Sequence, residues 1–225
     1  MNKYLDIYWQ APDNHECFKI GTLSYNEPFY FFSYCEIDEA CQRGFQEIYP
    51  FLDKSKTYIS TKMFSTFSSR LPDEKQVGIE GILKRYGMEN YDAFELLAKS
   101  NGRIPGDTLE FIAPISKNDF DFYVAGVVFW DFCLLNPNHV DIQISNGAYL
   151  DFCREPENEY DVNAVALYYK SHKLGYIPKY YSQSVSELID KEYKIQFTVT
   201  ESNIQCCNHD CRLCISVHGK IISDK

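Results

Sequence analysis

The residues with the clearest chemical potential lie in one short stretch, EPENEYDVNAV. Asp161 and Asn163 flank a single residue there, and side chains of this kind bond the backbone of tight turns. One interpretation is structural: both residues cap a turn between two strands, and Tyr160 packs over it. The other is functional: the turn presents the Tyr160 ring for stacking and the Asp161 carboxylate for accepting a hydrogen bond.

A second cluster, CCNHDCRLC, contains residue types that bind zinc. Cys211 and Cys214 have a chelating spacing, and Cys207 or His209 would complete a tetrahedral set. No second, separated pair accompanies them, and a strand would point Cys211 and Cys214 to opposite faces unless the chain turns near Arg212. Small thiols in and before an apolar strand are therefore the preferred interpretation, with zinc as the alternative, and no cofactor is predicted.

Signatures of catalysis are missing from the sequence. It has no nucleophile elbow, no protease signature around a cysteine and no Gly-rich phosphate loop. Its carboxylates are scattered among turns rather than paired for acid and base roles. We therefore expect a protein that is not an enzyme.

The composition of the chain limits the kinds of partner and environment that we expect for the protein. The 225 residues are 45% hydrophobic, which can supply real cores, and the net charge of −10 repels phosphate backbones at long range. The start of the chain does not resemble an export signal, and no stretch approaches the roughly 20 apolar residues of a membrane span. The nine cysteines are an odd number, and we expect mostly reduced thiols in a cytoplasmic protein.

Hydrophobic periodicity predicts an α+β fold with two domains, residues 1–115 and 120–225. The first contains three antiparallel strands, then helices over residues 60–71, 77–87 and 91–102, then a returning strand. Ser60 and Pro72 are the expected ends of the first of these helices, and Asp92 and Gly102 lie at the ends of the last one. The second domain is predicted to be rich in strands, with a helix over residues 181–191 capped by Ser182 or Ser184.

The second half resembles the HIRAN domain, whose pattern E-P-x-N-x-Y-D-x-N-A-V is followed by L-G-Y-I-P. The matching residues are Glu155, Pro156, Asn158, Tyr160, Asp161, Asn163, Ala164, Val165, Leu174, Gly175, Tyr176, Ile177 and Pro178. The resemblance covers residues 120–203 and implies a small β-barrel-like domain with one or two helices.

HIRAN modules attached to helicase-like remodelling ATPases recognise the 3′ end of single-stranded DNA, so the resemblance implies this ligand. The residues implied to contact it are Phe129, Trp130, Arg154, Tyr160, Asp161, Tyr176 and Lys179. Members that bind DNA carry a basic residue before the first aromatic, where this chain has Val128. Lys179 is then the principal cation, with Arg154 or Lys173 as helpers.

Residues 4–114 resemble the N-terminal subdomain of HipA-type Ser/Thr kinase toxins. The matching residues are Phe64, Phe67, Leu71, Pro72, Asp73, Phe94, Leu96, Leu97, Gly102 and Arg103. The catalytic lobes of such kinases are absent, so the resemblance implies a module that docks a separate HipA-like kinase or its helix-turn-helix antitoxin.

Together these features predict a non-catalytic cytoplasmic adaptor in a toxin-antitoxin or defence setting. Its HIRAN-like domain would bind a single-stranded DNA 3′ end while its first domain docks a protein. The alternative is a protein-only regulatory subunit that binds no DNA, and no membrane partner is expected.

Overall fold

The computed structural model describes residues 3–12, 16–104, 106–115, 119–127, 143–207 and 210–223, with residues 203–207, 210–214 and 223 described by their backbone alone. The chain divides into two compact units, Met1–Pro114 and Ile115–Lys225. Both combine antiparallel sheets with helices, which confirms the α+β class. Among the described residues, no helix is long and apolar enough to cross a membrane.

The first unit is a five-stranded antiparallel sheet accompanied by four short helices. Its elements are β1 (Lys3–Gln10), β2 (Cys17–Asn26), β3 (Phe29–Tyr34), α1 (Ile37–Gln42), β4 (Tyr58–Ser60), α2 (Ser65–Ser68), α3 (Ile79–Arg85), α4 (Ala93–Ser100) and β5 (Leu109–Ile112). The strand order is β4-β3-β2-β1-β5. The three predicted N-terminal strands and the returning strand β5, which pairs with β1, are confirmed.

Aromatic side chains fill the core of this unit. Alternation along β1 points Leu5, Ile7 and Trp9 inward, as a strand with one buried face requires. Phe32 and Phe67 are fully buried in the same cluster, with ring centroids 5.2 Å apart. The Phe67 that the HipA-like pattern singled out is thus a core residue.

One predicted helix of this unit was wrong in its extent. Residues 60–71 contain only the single turn α2, because Ser60 belongs to the edge strand β4 and pairs there with Tyr30. The helix predicted over residues 91–102 is confirmed as α4. The Asp92 carboxylate accepts a hydrogen bond from the Glu95 amide at 2.9 Å and so begins this helix.

Over its described residues, the second unit is a curled sheet with one helix. Its elements are β6 (Asp119–Tyr123), β7 (Tyr149–Arg154), β8 (Val165–Tyr169), β9 (His172–Tyr176), α5 (Lys179–Asp190), β10 (Lys194–Cys207) and β11 (Asp210–Ser223). The strand order is β6-β11-β10-β7-β8-β9. The predicted helix begins earlier than expected, at Lys179 after Pro178, so neither Ser182 nor Ser184 caps it.

The two edges of this sheet meet, which makes it a half-barrel. Ala125, just after β6, exchanges two backbone hydrogen bonds of 2.8 and 2.9 Å with Tyr176 at the end of β9. Gly175 permits this closure: its φ is +150°, and a Cβ there would lie 2.2 Å from the Ala125 carbonyl oxygen. Antiparallel pairing of β8 with β9, in which Ala166 lies opposite Tyr176, places the end of β9 beside the loop that joins β7 to β8.

Candidate nucleic-acid interface

The predicted binding turn is the connection between β7 and β8, residues 155–164, which we call the Tyr160 loop. Its base is closed by a hydrogen bond of 2.9 Å from the Glu155 amide to the Ala164 carbonyl. Two further backbone hydrogen bonds fold the loop into successive turns. The Asn158 amide donates to the Glu155 carbonyl at 3.0 Å, and the Ala164 amide donates to the Asp161 carbonyl at 2.9 Å. The loop therefore has a defined backbone although it contains no ladder pairing.

Asn158 lies at the centre of the Tyr160 loop. Its Oδ1 accepts hydrogen bonds from the amides of Tyr160 at 3.0 Å and Asp161 at 3.2 Å. Its Nδ2 donates to Glu155 Oε2 at 3.2 Å and to the Tyr176 hydroxyl at 3.1 Å. Because two backbone donors converge on one end, these partners fix the orientation of the side-chain amide.

The Tyr160 ring lies in solvent. It is 89% exposed, more than any other aromatic side chain that the structure describes, and Val162 beside it is also exposed. The interpretation in which Tyr160 packs over the turn is therefore wrong. An exposed ring on a defined backbone can stack on a nucleobase, an interaction of roughly 1 to 3 kcal/mol.

The Asp161 side chain also stabilises the turn. Its Oδ1 accepts a hydrogen bond from the Asn163 amide at 2.9 Å, so the predicted capping by Asp161 is confirmed. Asn163 acts differently from the expectation, since its Oδ1 lies 3.2 Å from the buried Ser186 hydroxyl of α5. Within the described residues, Asp161 Oδ2 makes no hydrogen bond, and it is the oxygen that could accept one from a ligand.

Four backbone amides in the second half of the loop are already used. Those of Tyr160, Asp161, Asn163 and Ala164 all donate to acceptors within the loop itself. Such amides cannot form the N–H concavity that binds phosphate groups. The side chains that the loop offers to a ligand are a ring and a carboxylate, a combination suited to a hydroxyl donor rather than to an anion.

Arg154 is held within the protein. Its Nη1 donates to the carbonyls of Val162 at 3.2 Å and Ala164 at 3.4 Å, and the guanidinium also pairs with Asp190 at the end of α5. Its side chain is 19% exposed. A phosphate contact by Arg154, as the resemblance implies, would have to compete with these bonds.

Tyr176 and Lys173 lie behind the loop, in a network with Glu155. Lys173 Nζ is 2.5 Å from Glu155 Oε1 and 2.9 Å from the Tyr176 hydroxyl, which donates to Glu155 Oε2 at 2.9 Å. Burial acts to raise the pKa of Glu155, but the hydrogen bonds from Lys173, Tyr176 and Asn158 outweigh it and lower that pKa. Burial likewise acts to lower the pKa of Lys173, and its bonds to Glu155 and Tyr176 raise it.

Lys179 is an exposed cation at the start of α5. The Ile177 amide donates to the Val165 carbonyl at 2.9 Å, which brings the start of α5 beside the exit of the Tyr160 loop. The Lys179 ammonium has no ion-pair partner among the described residues. The loop itself is acidic, with Glu157 and Glu159 exposed on either side of Asn158.

Two groups of predicted residues cannot be placed at the site. Phe129 and Trp130 lie outside the described residues. Of the zinc candidates, His209 also lies outside them, and the backbone around Cys207, Cys211 and Cys214 belongs to the paired strands β10 and β11. The strand β11 runs through Arg212 without the turn that a zinc site would need, and the metal assignment stays a prediction.

Sequence reasoning missed the residues that support the loop. Asn158 was recognised only as part of a pattern, although an Asn two residues before an exposed Tyr has the spacing of an Asx turn. Ser186 and Asp190 had no signal of their own, because their partners are more than 20 residues away along the chain.

The curled sheet and its loop belong to a known class of domain. Residues 117–220 match the HIRAN domain family, so this part of the chain is a HIRAN domain. Such domains are generally modules that bind single-stranded DNA or other nucleic acids. The match lies within the second unit, and the resemblance of residues 4–114 to HipA-type kinases stays a prediction.

Comparison with solved structures gives two similar chains. The HIRAN domain of human HLTF is 14% identical, with 45% of this chain and 72% of that chain covered and a TM-score of 0.33. A protein from Lactobacillus plantarum is 26% identical, with coverage of 34% and 71% and a TM-score of 0.30. No curated protein matches the chain.

Proposed function

We propose that the HIRAN domain binds the 3′ end of single-stranded DNA and that the protein is a non-catalytic adaptor. The observation that carries this proposal is the Tyr160 ring, 89% exposed on a loop of fixed backbone and adjacent to the Asp161 carboxylate. The ring stacks on the terminal base, a contact that any base can make. The carboxylate accepts a hydrogen bond from the terminal hydroxyl.

Preference for an end follows from the electrostatics of the loop. A 3′-phosphate, or a strand that continues past this point, would bring negative charge to Asp161, Glu157 and Glu159. The amides of Tyr160, Asp161 and Asn163 cannot neutralise it, because they donate to acceptors within the loop. Lys179, at the start of α5, would contact a phosphate on the 5′ side of the terminal nucleotide.

Titration of two fluorescent oligonucleotides tests this proposal. They share one sequence and differ only in carrying a 3′-hydroxyl or a 3′-phosphate, and we expect binding of the first to be at least about tenfold tighter. Asp161→Asn keeps an oxygen that can accept from the Asn163 amide but removes the charge. This variant should therefore show a smaller ratio between its affinities for the 3′-hydroxyl and the 3′-phosphate oligonucleotide. Equal affinity of the wild type for both oligonucleotides would reject the proposal.

A protein-only regulatory role is the second candidate, and the acidity of the Tyr160 loop favours it. Glu157, Glu159 and Asp161 lie in the same loop as the ring, while Arg154 and Lys173 are already paired. Such a surface suits a basic peptide better than a phosphate backbone. Failure of both oligonucleotides to bind at low salt would select this candidate.

The first unit would dock a protein partner, a HipA-like kinase or its antitoxin. Exposed apolar side chains support a contact surface on this unit: Tyr49 is 79% exposed, Leu52 is 65% exposed and Ile59 is 60% exposed. Purification of the tagged protein from its native host tests this role. Recovery of neither a kinase-like nor a helix-turn-helix protein would count against it.

A further inference from the structure

The Asn158 side chain satisfies every hydrogen bond that it can make. An amide side chain has two donor hydrogens and an oxygen with two lone pairs. The oxygen accepts from two backbone amides of the Tyr160 loop, and the nitrogen donates to Glu155 and Tyr176. One half-buried side chain thus connects the two residues that would meet the ligand to the network behind them.

We propose that Asn158 is the positioning residue of the binding site, which holds the Tyr160 ring and the Asp161 carboxylate in the arrangement that receives a nucleotide. This proposal deepens the proposed function and rests on it. Asn158 acts through the backbone amides of the two residues and does not itself touch the nucleotide. It is therefore distinct from the residues that the HIRAN resemblance singles out for contact.

The physical reason is preorganisation. Tyr160 makes no ring contact that would hold its side chain among the described residues, so only its backbone limits where the ring can lie. If the two amides lost their shared acceptor, the tip of the loop would sample other conformations, and only a fraction of molecules would be competent to bind. The apparent affinity would then be the intrinsic affinity multiplied by that fraction.

The network behind Asn158 determines the orientation of its side-chain amide, with Nδ2 toward Glu155 and Tyr176 and Oδ1 toward the loop amides. Lys173 holds Glu155 in its ionised form, and Glu155 Oε2 accepts from both the Tyr176 hydroxyl and Asn158 Nδ2. A donor is therefore required at this position. An acceptor in its place would face the Glu155 carboxylate at about 3.2 Å.

Asn158→Asp tests this requirement because it replaces the donor by a second carboxylate oxygen. The titratable or charged groups that face the introduced carboxylate are Glu155 at the end of β7, Lys173 and Tyr176 of β9, Tyr168 of β8 beside Lys173, and Asp161 of the loop. Repulsion from Glu155 should raise the pKa of the pair. A proton shared between the two carboxylates on acidification would rebuild the lost hydrogen bond.

The experiment measures the affinity of wild type, Asn158→Asp and Asn158→Ala for a 3′-hydroxyl oligonucleotide at pH 8 and pH 5.5. We expect the Asp variant to bind about tenfold more weakly than wild type at pH 8 and to recover at pH 5.5. The Ala variant should be weak at both values. The wild type should change little, since the pKa of Glu155 is lowered from 4.5 and this residue stays ionised at both.

Outcomes of this test are separable. Wild-type affinity in the Ala variant, or an Asp variant equally weak at both pH values, would overturn the positioning role. If the wild type binds no oligonucleotide, the proposed function fails, and hydrogen exchange then tests the positioning role alone. Asn158→Ala should speed exchange of the Tyr160 and Asp161 amides at least about tenfold while leaving the Val165 to Tyr169 amides of β8 protected. Unchanged exchange rates of the Tyr160 and Asp161 amides in this variant would contradict the positioning role.

Discussion

Arg154 and Asp190 form a two-point pair, with Nε 3.3 Å from Oδ1 and Nη2 3.2 Å from Oδ2. The same guanidinium donates to the carbonyls of Val162 and Ala164. One side chain at the end of β7 therefore fastens the exit of the Tyr160 loop to the end of α5. This arrangement makes Arg154 a structural support of the loop.

Arg154→Lys should lower the free energy of unfolding by about 1 to 2 kcal/mol, because lysine keeps the charge but cannot make the planar set of bonds. The expected loss is modest because Asp190 is 60% exposed and solvent screens the pair. Urea denaturation measures it. Lys191→Ala, which removes an exposed pair with Glu187 at 3.6 Å, is the control and should change stability by less than about 0.5 kcal/mol.

Arg154→Lys also distinguishes the structural role of Arg154 from the DNA contact that the family resemblance implies. A stability equal to wild type with a clear loss of DNA affinity would show that Arg154 meets phosphate, as the family resemblance implies.

Gly175→Ala should destabilise the protein by about 3 kcal/mol or more, or prevent folding. The new Cβ would lie 2.2 Å from the Ala125 carbonyl oxygen and would separate the two edges of the curled sheet. Thermal unfolding measures the effect. Gly147→Ala is the matched control, since its φ is +86° but nothing lies within 4 Å, and only backbone strain of about 1 to 2 kcal/mol is expected. Similar losses in both variants would show that the closure contributes little.

Glu155→Gln should change how stability depends on pH. The folded pKa of Glu155 lies below its ordinary value of 4.5, so its ionised form stabilises the fold above that value. This contribution is lost as the pH falls through the folded pKa. The wild type should therefore be more stable than the variant at pH 7, and the difference should shrink at pH 3.

Denaturation at the two pH values checks this prediction, and Glu157→Gln is the control. Glu157 is exposed on the same loop, so its replacement should change stability by less than about 0.5 kcal/mol at both. A difference between wild type and Glu155→Gln that grows on acidification would contradict the assigned network.

Lys179→Glu should weaken DNA binding and reduce its dependence on salt. Loss of one phosphate contact lowers the slope of log affinity against log salt by about 0.7 for a single strand. Lys194→Glu makes the same charge change at an exposed position on β10, outside the proposed site. Equal effects of the two substitutions would indicate non-specific attraction rather than a contact at the start of α5.

Much of the fold followed from local pattern. Alternation predicted β1 to β3, and the capping residue Asp92 marked the start of α4. The helix over residues 60–71 failed because pairing of Ser60 with Tyr30 is a contact between distant residues. Local periodicity contains no information about such a partner.

The candidate site likewise has features that the sequence predicted and features that it did not. The motif located Tyr160 and Asp161 on a turn, and the ring is exposed as presentation to a ligand requires. The support of that turn was not predictable, because Asn158 bonds Tyr176 of β9 and Arg154 bonds Asp190 of α5. These partners are 18 and 36 residues away along the chain, and local patterns contain no information about them.

Replacement of the Tyr160 ring tests the central claim most directly. Fluorescence polarisation with a 3′-hydroxyl oligonucleotide should show Tyr160→Ala about 5- to 150-fold weaker than wild type, the equivalent of one base stack. Tyr149→Ala, which removes a 67% exposed ring from β7, should bind as wild type does. Equal affinity of wild type and Tyr160→Ala would contradict the account.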